Sequence, residues 1–572
     1  MSQPMKRREF IGTMGAGAAA LGMSCAHSPE PDIKKRPNIL WITTEDISPD
    51  LSCYGVPEVS TPNLDRLASQ GAMYSRAFAH AGVCAPARSG LITSMYPSSI
   101  GSNNMRTANS SGKFDFYPDT LPRFGYEVVP PREVKCFTEY LRAEGYYCTN
   151  RTKTDYQFAP PITAWDRIIP FNQGGADWRG REEGQPFFSV INFTNTHESQ
   201  IRVPSGKKSA RDLDSINLPP YYPDTPLVRN DYACYLDNIE AMDTMAKELL
   251  DWLEEDGLAD DTVVFFYGDH GRGLPRAKRW LYDSGTLVPL IIRWPGEIEP
   301  GTVDEELVSF IDFGATVLSI AGVDVPDYMQ GRPFLGDQAA EPREYVFGAR
   351  DRMDTAYDNI RMVRDKRYKY IRNYQPEKTY AQEIAYMDMM PTMREMRRLN
   401  AEGKLEGPQK LFFREAKPIE ELYDTLEDPH EINNLADSPE HKDVLEKLRK
   451  VHEDWMVETG DLGHISEPDL VESMWPGGVQ PITAPPTFLT PGPDNTMKMQ
   501  LSCPTEGASI AYTTDEGEDA HWKLYSEEMK FSARGTIRAR AIRIGFKESP
   551  EVTFSIQEVP FKLQKEVPFK PQ

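Results

Sequence analysis

Cysteine is scarce in this chain, with seven in 572 residues, and one of them, Cys25, falls in the N-terminal segment. The other six, at 53, 84, 136, 148, 234 and 503, have neither the short paired spacings of a metal finger nor the density of a disulfide-stapled scaffold. Basic charge is also in deficit. Lys and Arg number 64 against 87 Asp and Glu, a formal net charge of −23. That balance argues against nucleic acid as the main partner, because a phosphate backbone needs a basic face. An anionic substrate would need a local basic pocket on an acidic body. Beyond the N-terminal segment no apolar run approaches the roughly 20 residues that cross a bilayer. The mature chain is therefore expected to lack a transmembrane helix and to be soluble or tethered at its start. With neither metal-finger nor disulfide spacing, one of these cysteines is a candidate for chemistry.

What is present begins with a targeting segment. MSQPMKRREFIGTMGAGAAALGMSC places Lys6, Arg7 and Arg8 before Phe10 and a small apolar run. Arg7-Arg8 before Phe10 resembles a signal for twin-arginine export machinery, with an ordinary secretory signal as the alternative. Cys25 loosely resembles a lipid-attachment site, although Gly22 stands where a large aliphatic residue is usual. Residues 1–36 are read as export signal and linker.

From residue 37 the pattern alternates strand and helix. PNILWITTED gives a buried strand over 39–43 ending in Glu45 and Asp46. Helical patterns follow at 61–70 and 85–95, and CFTEYLRAEGYYCTN reads as a helix stopped near Gly145 and then a short strand. PFFSVINFTNTH is another buried strand. The region 231–256 is amphipathic, with Tyr235, Ile239, Met242, Leu249 and Leu253 on one stripe, and 262–267 is a nearly all-apolar strand opening into Gly268-Asp269-His270. This alternation predicts an α/β sheet covered on both faces, with its ligand site beyond the carboxyl ends of the strands. Residues 359–374 alternate as one antiparallel strand in a smaller α+β region at 346–465. Residues 466–494 read as a linker, 495–556 as an all-β sandwich, and 557–572 as a tail containing EVPFK twice.

The chemistry-bearing residues follow from that layout. Cys84 opens CAPARSG at a predicted helix start, where the backbone dipole favours an anion and Pro86 is tolerated. Arg88, one turn on, is able to aim at the same mouth; the alternative is an inert buried cysteine beside a surface arginine. Glu45, Asp46, Asp269 and His270, all at strand ends, form an oxygen-rich set that suits a hard divalent cation, unless they are only polar strand ends. His197 follows a buried strand and is catalytic or structural. Arg276 and Arg279 flank Lys278 and read as a solvated charge run.

These stretches occur together in a known order. CAPARSG resembles the signature of the type I sulfatases, in which Cys-x-Pro-x-Arg directs oxidation of the cysteine to formylglycine. PNILWITTED, FYGDHG, AKRWLYDSGTLVPLIIRWPG and ELYDTLEDPHEINNLA resemble further stretches of that family across residues 37–436. The resemblance implies an alkaline-phosphatase-like mixed sheet between helices over 37–345, with a C-terminal subdomain and an appended sandwich similar to chitobiase-type domains. It implies an aldehyde at residue 84 that hydrates to a diol, one hydroxyl attacking sulfur and the other later expelling sulfate. It also implies a calcium ion held by Glu45, Asp46, Asp269 and His270 together with residue 84, although Glu45 and His270 depart from the family's usual Asp and Asn and leave another divalent ion open.

Under the resemblance Arg88, Lys153 and Lys278 supply positive charge, and His197 or Lys278 assists leaving-group departure. Asp155 stands where relatives carry a histidine after the lysine at 153. Arg106, in GSNNMR, is a candidate substrate-binding residue for a sugar acid group. The resemblance implies hydrolysis of sulfate esters, or of sulfamates, on a sugar. The implied partners are a sulfated glycan, a formylglycine-generating maturation enzyme and the export machinery, with the mature enzyme in the periplasm, at the surface of a bacterium or secreted. Residues 145–156 and 350–367 look similar to heparan N-sulfoglucosamine sulfohydrolases and related bacterial polysaccharide sulfatases. Two other functions stay open: a phosphate or phosphonate ester hydrolase using the same diol, and a non-catalytic glycan-binding surface protein.

Overall fold

In chain order the main sheet uses β1 (Asn38–Thr44), β2 (Ala72–Phe78), β3 (Tyr147–Arg151), β4 (Arg167–Ile169), β5 (Phe187–Phe193), β6 (Thr262–Gly268), β7 (Leu287–Arg293), β8 (Thr302–Asp304) and β9 (Val308–Ser309). Its helices are α1 (Pro62–Ser69), α2 (Cys84–Thr93), α3 (Pro97–Ile100), α4 (Phe137–Ala143), α5 (Glu198–Ile201), α6 (Pro226–Glu255), α7 (Asp283–Thr286) and α8 (Asp312–Ile320). This computed structural model describes residues 36–107, 125–171, 173–202, 208–489, 498–530 and 535–556. The expected export segment, Cys25 included, and the duplicated tail lie outside the described residues.

All seven residues of β1 are buried. Side chains alternate across a strand, so Leu40 and Ile42 enter one apolar core while Ile39 and Trp41 enter the other. A strand apolar on both faces belongs in the interior of a sheet. The strand order is β4-β3-β5-β1-β6-β7-β2-β8, with β9 also on β2. Strands β4 to β6 run parallel, and β7 is antiparallel to both neighbours, which makes the sheet mixed. The core on the Leu40 face takes residues from α1 and α6, and that on the Trp41 face takes residues from α4 and α8.

The predicted stripe of α6 is buried throughout. The helix begins earlier than the 231 expected, because Thr225 Oγ1 accepts from the Val228 amide at 3.3 Å and Pro226 suits a first turn. Helix α2 differs in kind, since all ten of its residues are buried. Its tight seat depends on Gly90, where a Cβ would lie 2.2 Å from Nε2 of His80.

The second region holds an antiparallel sheet, β10 (Val346–Arg350), β11 (Ile360–Arg364), β12 (Tyr368–Asn373) and β13 (Glu420–Asp424), with α9 (Pro391–Ala401) and α10 (Lys442–Thr459). The single strand expected over 359–374 is thus a hairpin. Asp365 Oδ1 accepts from the amides of Arg367 and Tyr368 at 2.7 and 2.6 Å and closes the turn, while alternation continues on both sides and hides it.

The stretch 466–494, read as a linker, contributes α11 (Glu467–Met474) and an edge strand β14 (Thr487–Leu489). Ser466 caps α11 by accepting from the Asp469 amide, and proline near the start of a helix or beside an edge strand does not forbid either. The C-terminal strands are β15 (Lys498–Ser502), β16 (Ser509–Thr513), β17 (Lys523–Leu524), β18 (Met529–Lys530), β19 (Gly535–Ile542) and β20 (Val552–Ile556). They form two antiparallel sheets, β14-β15-β18 and β17-β16-β19-β20, with Leu501, Ile510, Ile537 and Ala539 in their shared core. Polar contacts dock them: Lys135 Nζ donates to the Gly507 carbonyl at 2.5 Å and to Ser509 Oγ at 2.9 Å, and Arg142 Nη2 donates to the Trp522 carbonyl at 2.7 Å. Among the described residues no helix is long and apolar enough to cross a membrane.

Candidate active site

Adjacent parallel strands that end together leave a crevice beyond their carboxyl ends. Strands β1 and β6 deliver Glu45-Asp46 and Asp269-His270 there, β5 delivers Asn192 and then His197, and α2 starts at the same place with Cys84. Cys84 follows an extended Val83 (φ −156°, ψ 150°), is 3% exposed, and holds its Sγ 3.2 Å from Nε2 of His270.

Asp46 takes a left-handed backbone, φ 56°, which turns the chain at the strand end. Its carboxylate accepts from Lys278 Nζ at 2.9 and 2.7 Å and from the Glu198 amide at 2.7 Å, and its amide donates to Asp269 Oδ1 at 3.0 Å. Glycine is required at 273, where a Cβ would stand 2.6 Å from Asp46 Oδ2.

Arg88 is 5% exposed, so the surface-arginine alternative fails. It donates to Asp269 Oδ2 from Nε at 3.2 Å and Nη2 at 3.0 Å, and to Asn192 Oδ1 from Nη1 at 2.6 Å; Nη2 is also 3.9 Å from Glu45. Lys153 pairs with Glu45 and sits in a turn where Thr152, Lys153 and Asp155 all have positive φ. Asn192 Nδ2 holds that turn by donating to the carbonyls of Thr152 at 2.6 Å and Arg151 at 2.9 Å.

Four carboxylates, Glu45, Asp46, Glu198 and Asp269, are at most 2% exposed here, and they face Arg88, Lys153, Lys278 and Arg279. Burial opposes ionisation of Asp46, but Lys278, with His270 beside it, outweighs that and holds the carboxyl well below its usual range. Burial pushes Glu45 up against the pull of Lys153. Burial likewise opposes charge on His270, and Asp269, Cys84 and Asp46 overcome it, pushing the ring up to about 10. His197 goes the other way: burial and then Lys278 push it down to about 3. Its Nδ1 accepts from the Ser199 amide at 3.2 Å, which leaves the ring proton on Nε2.

The structure gathers Cys84, Arg88, Asp46, His197, Lys278, Asp269 and His270 around one point, with Glu45 and Lys153 paired beside it. Arg106 stands apart: its Nε pairs with Asp354 at 3.2 Å and its guanidinium carbon is 4.9 Å from the Tyr386 ring. The solvated reading of Arg276 and Arg279 is corrected. They are 3% and 5% exposed, because the loop around Lys278 is folded inward, Arg279 onto Glu198 at 2.7 and 3.1 Å and Arg276 onto the Glu431 carbonyl at 2.6 Å. Sequence reasoning also missed Glu198 and Asn192. Asn192 had a signal, a polar side chain inside an otherwise apolar strand end, and Glu198 adjoins His197.

Two groups of donor atoms lie close enough to share a divalent cation. Asp46, Cys84 and His197, and likewise Cys84, Asp269 and His270, bring one donor atom each within 4.8 Å of one another. The four carboxylates face Arg88, Lys153, Lys278 and Arg279, and protonated His270 adds a fifth positive charge, so the crevice is already positive toward an oxyanion and His270 would give up its ring proton to ligate an added divalent ion. The residues fit such an ion, with carboxylate oxygens as the hard donors and imidazole as the softer one.

The sulfatase family pattern matches residues 37–323, and the pattern described as N-sulphoglucosamine sulphohydrolase, C-terminal, matches 268–410. The chain is 42% identical over 570 residues to an ulvan-active sulfatase of Formosa agariphila, covering 93% of both proteins. It is 25% identical to the N-sulphoglucosamine sulphohydrolase of Homo sapiens, covering 74% of this chain and 90% of that one. A solved structure, in complex with its substrate D-glucosamine-2-N,6-O-disulfate, superposes with TM-score 0.53 at 17% identity, covering 76% of this chain and 99% of that one. The common fold is the alkaline-phosphatase-like mixed sheet, to which this chain adds C-terminal antiparallel sheets. Strand ends rich in carboxylates, a buried cysteine at the start of α2 and matches of this extent lead to one assignment: the chain belongs to the sulfatase family and is a sulfuric ester hydrolase.

Proposed function

We propose that this protein is a formylglycine-dependent sulfatase that removes sulfate esters from a sulfated polysaccharide or its oligosaccharides. The observation that carries the reading is the seat of Cys84: buried, at the first turn of a wholly buried helix, inside Cys-x-Pro-x-Arg, and ringed by matched carboxylates and cations. The name of the Formosa agariphila relative supports a polysaccharide substrate.

Residue 84, oxidised by a maturation enzyme and hydrated, supplies the hydroxyl that attacks sulfur and a second hydroxyl that loses its proton as the aldehyde re-forms and sulfate departs. Glu45, Asp46, Asp269 and His270 would hold a divalent cation, calcium in the family's expectation, which when bound polarises a sulfate oxygen and acidifies a neighbouring hydroxyl. Arg88 is locked by Asp269 and Asn192, so its charge is preorganised at the attack point. Lys153 is the most exposed cation of the set, its side chain 18% accessible, and meets the sulfate from the solvent side. Lys278, between Asp46 and Glu198, stabilises charge on the departing sugar oxygen. His197, neutral with its proton on Nε2, donates a hydrogen bond there and contributes no charge. The same proposal places the mature enzyme in the periplasm or on the surface of a bacterium, on the strength of Arg7-Arg8 before Phe10.

The test is protein co-produced with a formylglycine-generating enzyme, incubated with a panel of sulfated oligosaccharides and assayed for released sulfate. Sulfate release is expected to fall on the order of 10⁴-fold or more in Cys84→Ala. Equal turnover by Cys84→Ala overturns the mechanism, and faster hydrolysis of an aryl phosphate than of every sulfate in the panel overturns the substrate class.

A further inference from the structure

His197 caps the start of α5 and Arg202 its end, so one short helix carries a residue of the buried cluster and a residue of its rim. Along a helix that separation is about 7 Å of backbone rise, so the two side chains leave opposite ends of the helix. Tyr386, from the segment between β12 and α9, lies over this helix with its ring centroid 6.2 Å from that of His197. Three guanidinium carbons approach the same ring: Arg202 at 4.0 Å, Arg106 at 4.9 Å and Arg279 at 5.8 Å.

Their charges are differently placed. Arg279 is paired with Glu198 and Arg106 with Asp354. Arg202 pairs with no carboxylate among the described residues, and its Nη1 hydrogen bond to the Tyr386 carbonyl is long, 3.4 Å. His197, Arg202, Tyr386 and Arg106 are all partly exposed, whereas Cys84, Asp46, Asp269 and Lys278 are buried. The rim therefore holds a guanidinium with no carboxylate partner among the described residues, lying over an aromatic face. That arrangement fixes the guanidinium plane while leaving its N–H edge open to two oxygens of an oxyanion. The ring itself offers an apolar face to a sugar.

Resting on the sulfated-glycan reading above, we propose that Arg202 and Tyr386, with Arg106 beside them, form a subsite for a second anionic group on the sugar that adjoins the sulfate to be cleaved. The group is a carboxylate or a further sulfate, since both present two oxygens to a guanidinium edge.

Binding to Cys84→Ala protein, measured by calorimetry, reads this subsite without turnover. Three sulfated oligosaccharides serve as probes: one with a uronic acid neighbour, the same molecule with that carboxyl reduced to an alcohol, and one with a neutral neighbour bearing a second sulfate. At least one anionic probe is expected to bind about tenfold tighter than the reduced one, and which of them does identifies the group. Arg202→Gln in the same background is expected to shrink the advantage to about twofold or less, and Arg202→Lys to leave an intermediate value. Equal binding of all three probes, or an advantage unchanged in Arg202→Gln, overturns the subsite. Kinetic ratios in the formylglycine enzyme separate the two readings. Discrimination in binding without sulfate release from any probe counts against the sulfatase mechanism and leaves the subsite standing.

Discussion

In the crevice, Glu45, Asp46, Glu198 and Asp269 are at most 2% exposed and meet cations that are themselves largely buried. In the C-terminal sheets the carboxylate of Glu551 is 27% exposed, and its partners Arg538 and Arg540 are 20% and 32% exposed. The backbones differ in the same sense. Asp46, Arg106, Lys153, Arg276 and Arg279 adopt positive φ around the crevice, whereas in the described C-terminal sheets positive φ falls on glycines, Gly507, Gly517 and Gly545. A buried charge is tolerated only when fully paired, and a non-glycine residue in the left-handed region costs of order 1 kcal/mol or more. The crevice thus concentrates features that cost stability and preorganise chemistry, while the sheets rest on an apolar core and place their charges in water.

Replacing Arg88 by Met should produce the largest effect, because it strands Asp269 and loosens Asn192. We expect kcat/KM to fall on the order of 10²–10³-fold, and urea denaturation to show a loss of about 3–5 kcal/mol; a loss below about 1 kcal/mol would break the contrast. In the sheets the equivalent weak point is apolar. Ile537→Ala should destabilise by about 2–4 kcal/mol, read by hydrogen exchange of the β16 and β19 amides, with kcat/KM on a small sulfate ester within about twofold. A crevice defect of equal size would mean that the two regions are not independent.

Acid should sharpen the comparison. His80, beneath α2, donates Nε2–H to the Pro86 carbonyl at 3.3 Å, its Nδ1 has no partner among the described residues, and burial pushes it down to about 4. A depressed histidine is neutral when folded but takes its proton near 6.5 when unfolded, so its stabilising share is full above that pH and fades as pH falls toward 4. Between pH 7 and 5 the loss is about 2 kcal/mol, and His80→Gln should flatten that portion of the profile; an unchanged slope refutes the assignment. The smallest effect belongs to the surface pairs. Arg540→Ala should cost about 0.5 kcal/mol or less in urea denaturation, and a larger loss would mean that charge is structural in the sheets as well.

Strands β1, β5 and β6 were legible because predominantly apolar runs announce strands buried on both faces. Strand β2 was not, since AMYSRAF lies near the sheet margin and is only partly buried, so its pattern carries neither a continuous run nor clean alternation. The cysteine motif and the strand-end acids could be located in advance. Their partners could not: Arg88 meets Asn192 across 104 residues and Arg279 meets Glu198 across 81, and a lysine–arginine run looks the same in sequence whether it faces water or a buried carboxylate.

The sequence by itself determined which cysteine is set apart, in what motif, and on which family's framework, because a motif is a local order of residues that survives without knowledge of the fold. Only the tertiary structure decided which charges neutralise one another, that Arg279 is inside, that His197 carries its proton on Nε2, and that Arg202, beside Tyr386, meets no carboxylate among the described residues. Coulombic pairing and desolvation depend on distance and burial through space, and residues far apart in the chain acquire both only when the strands and helices close around them.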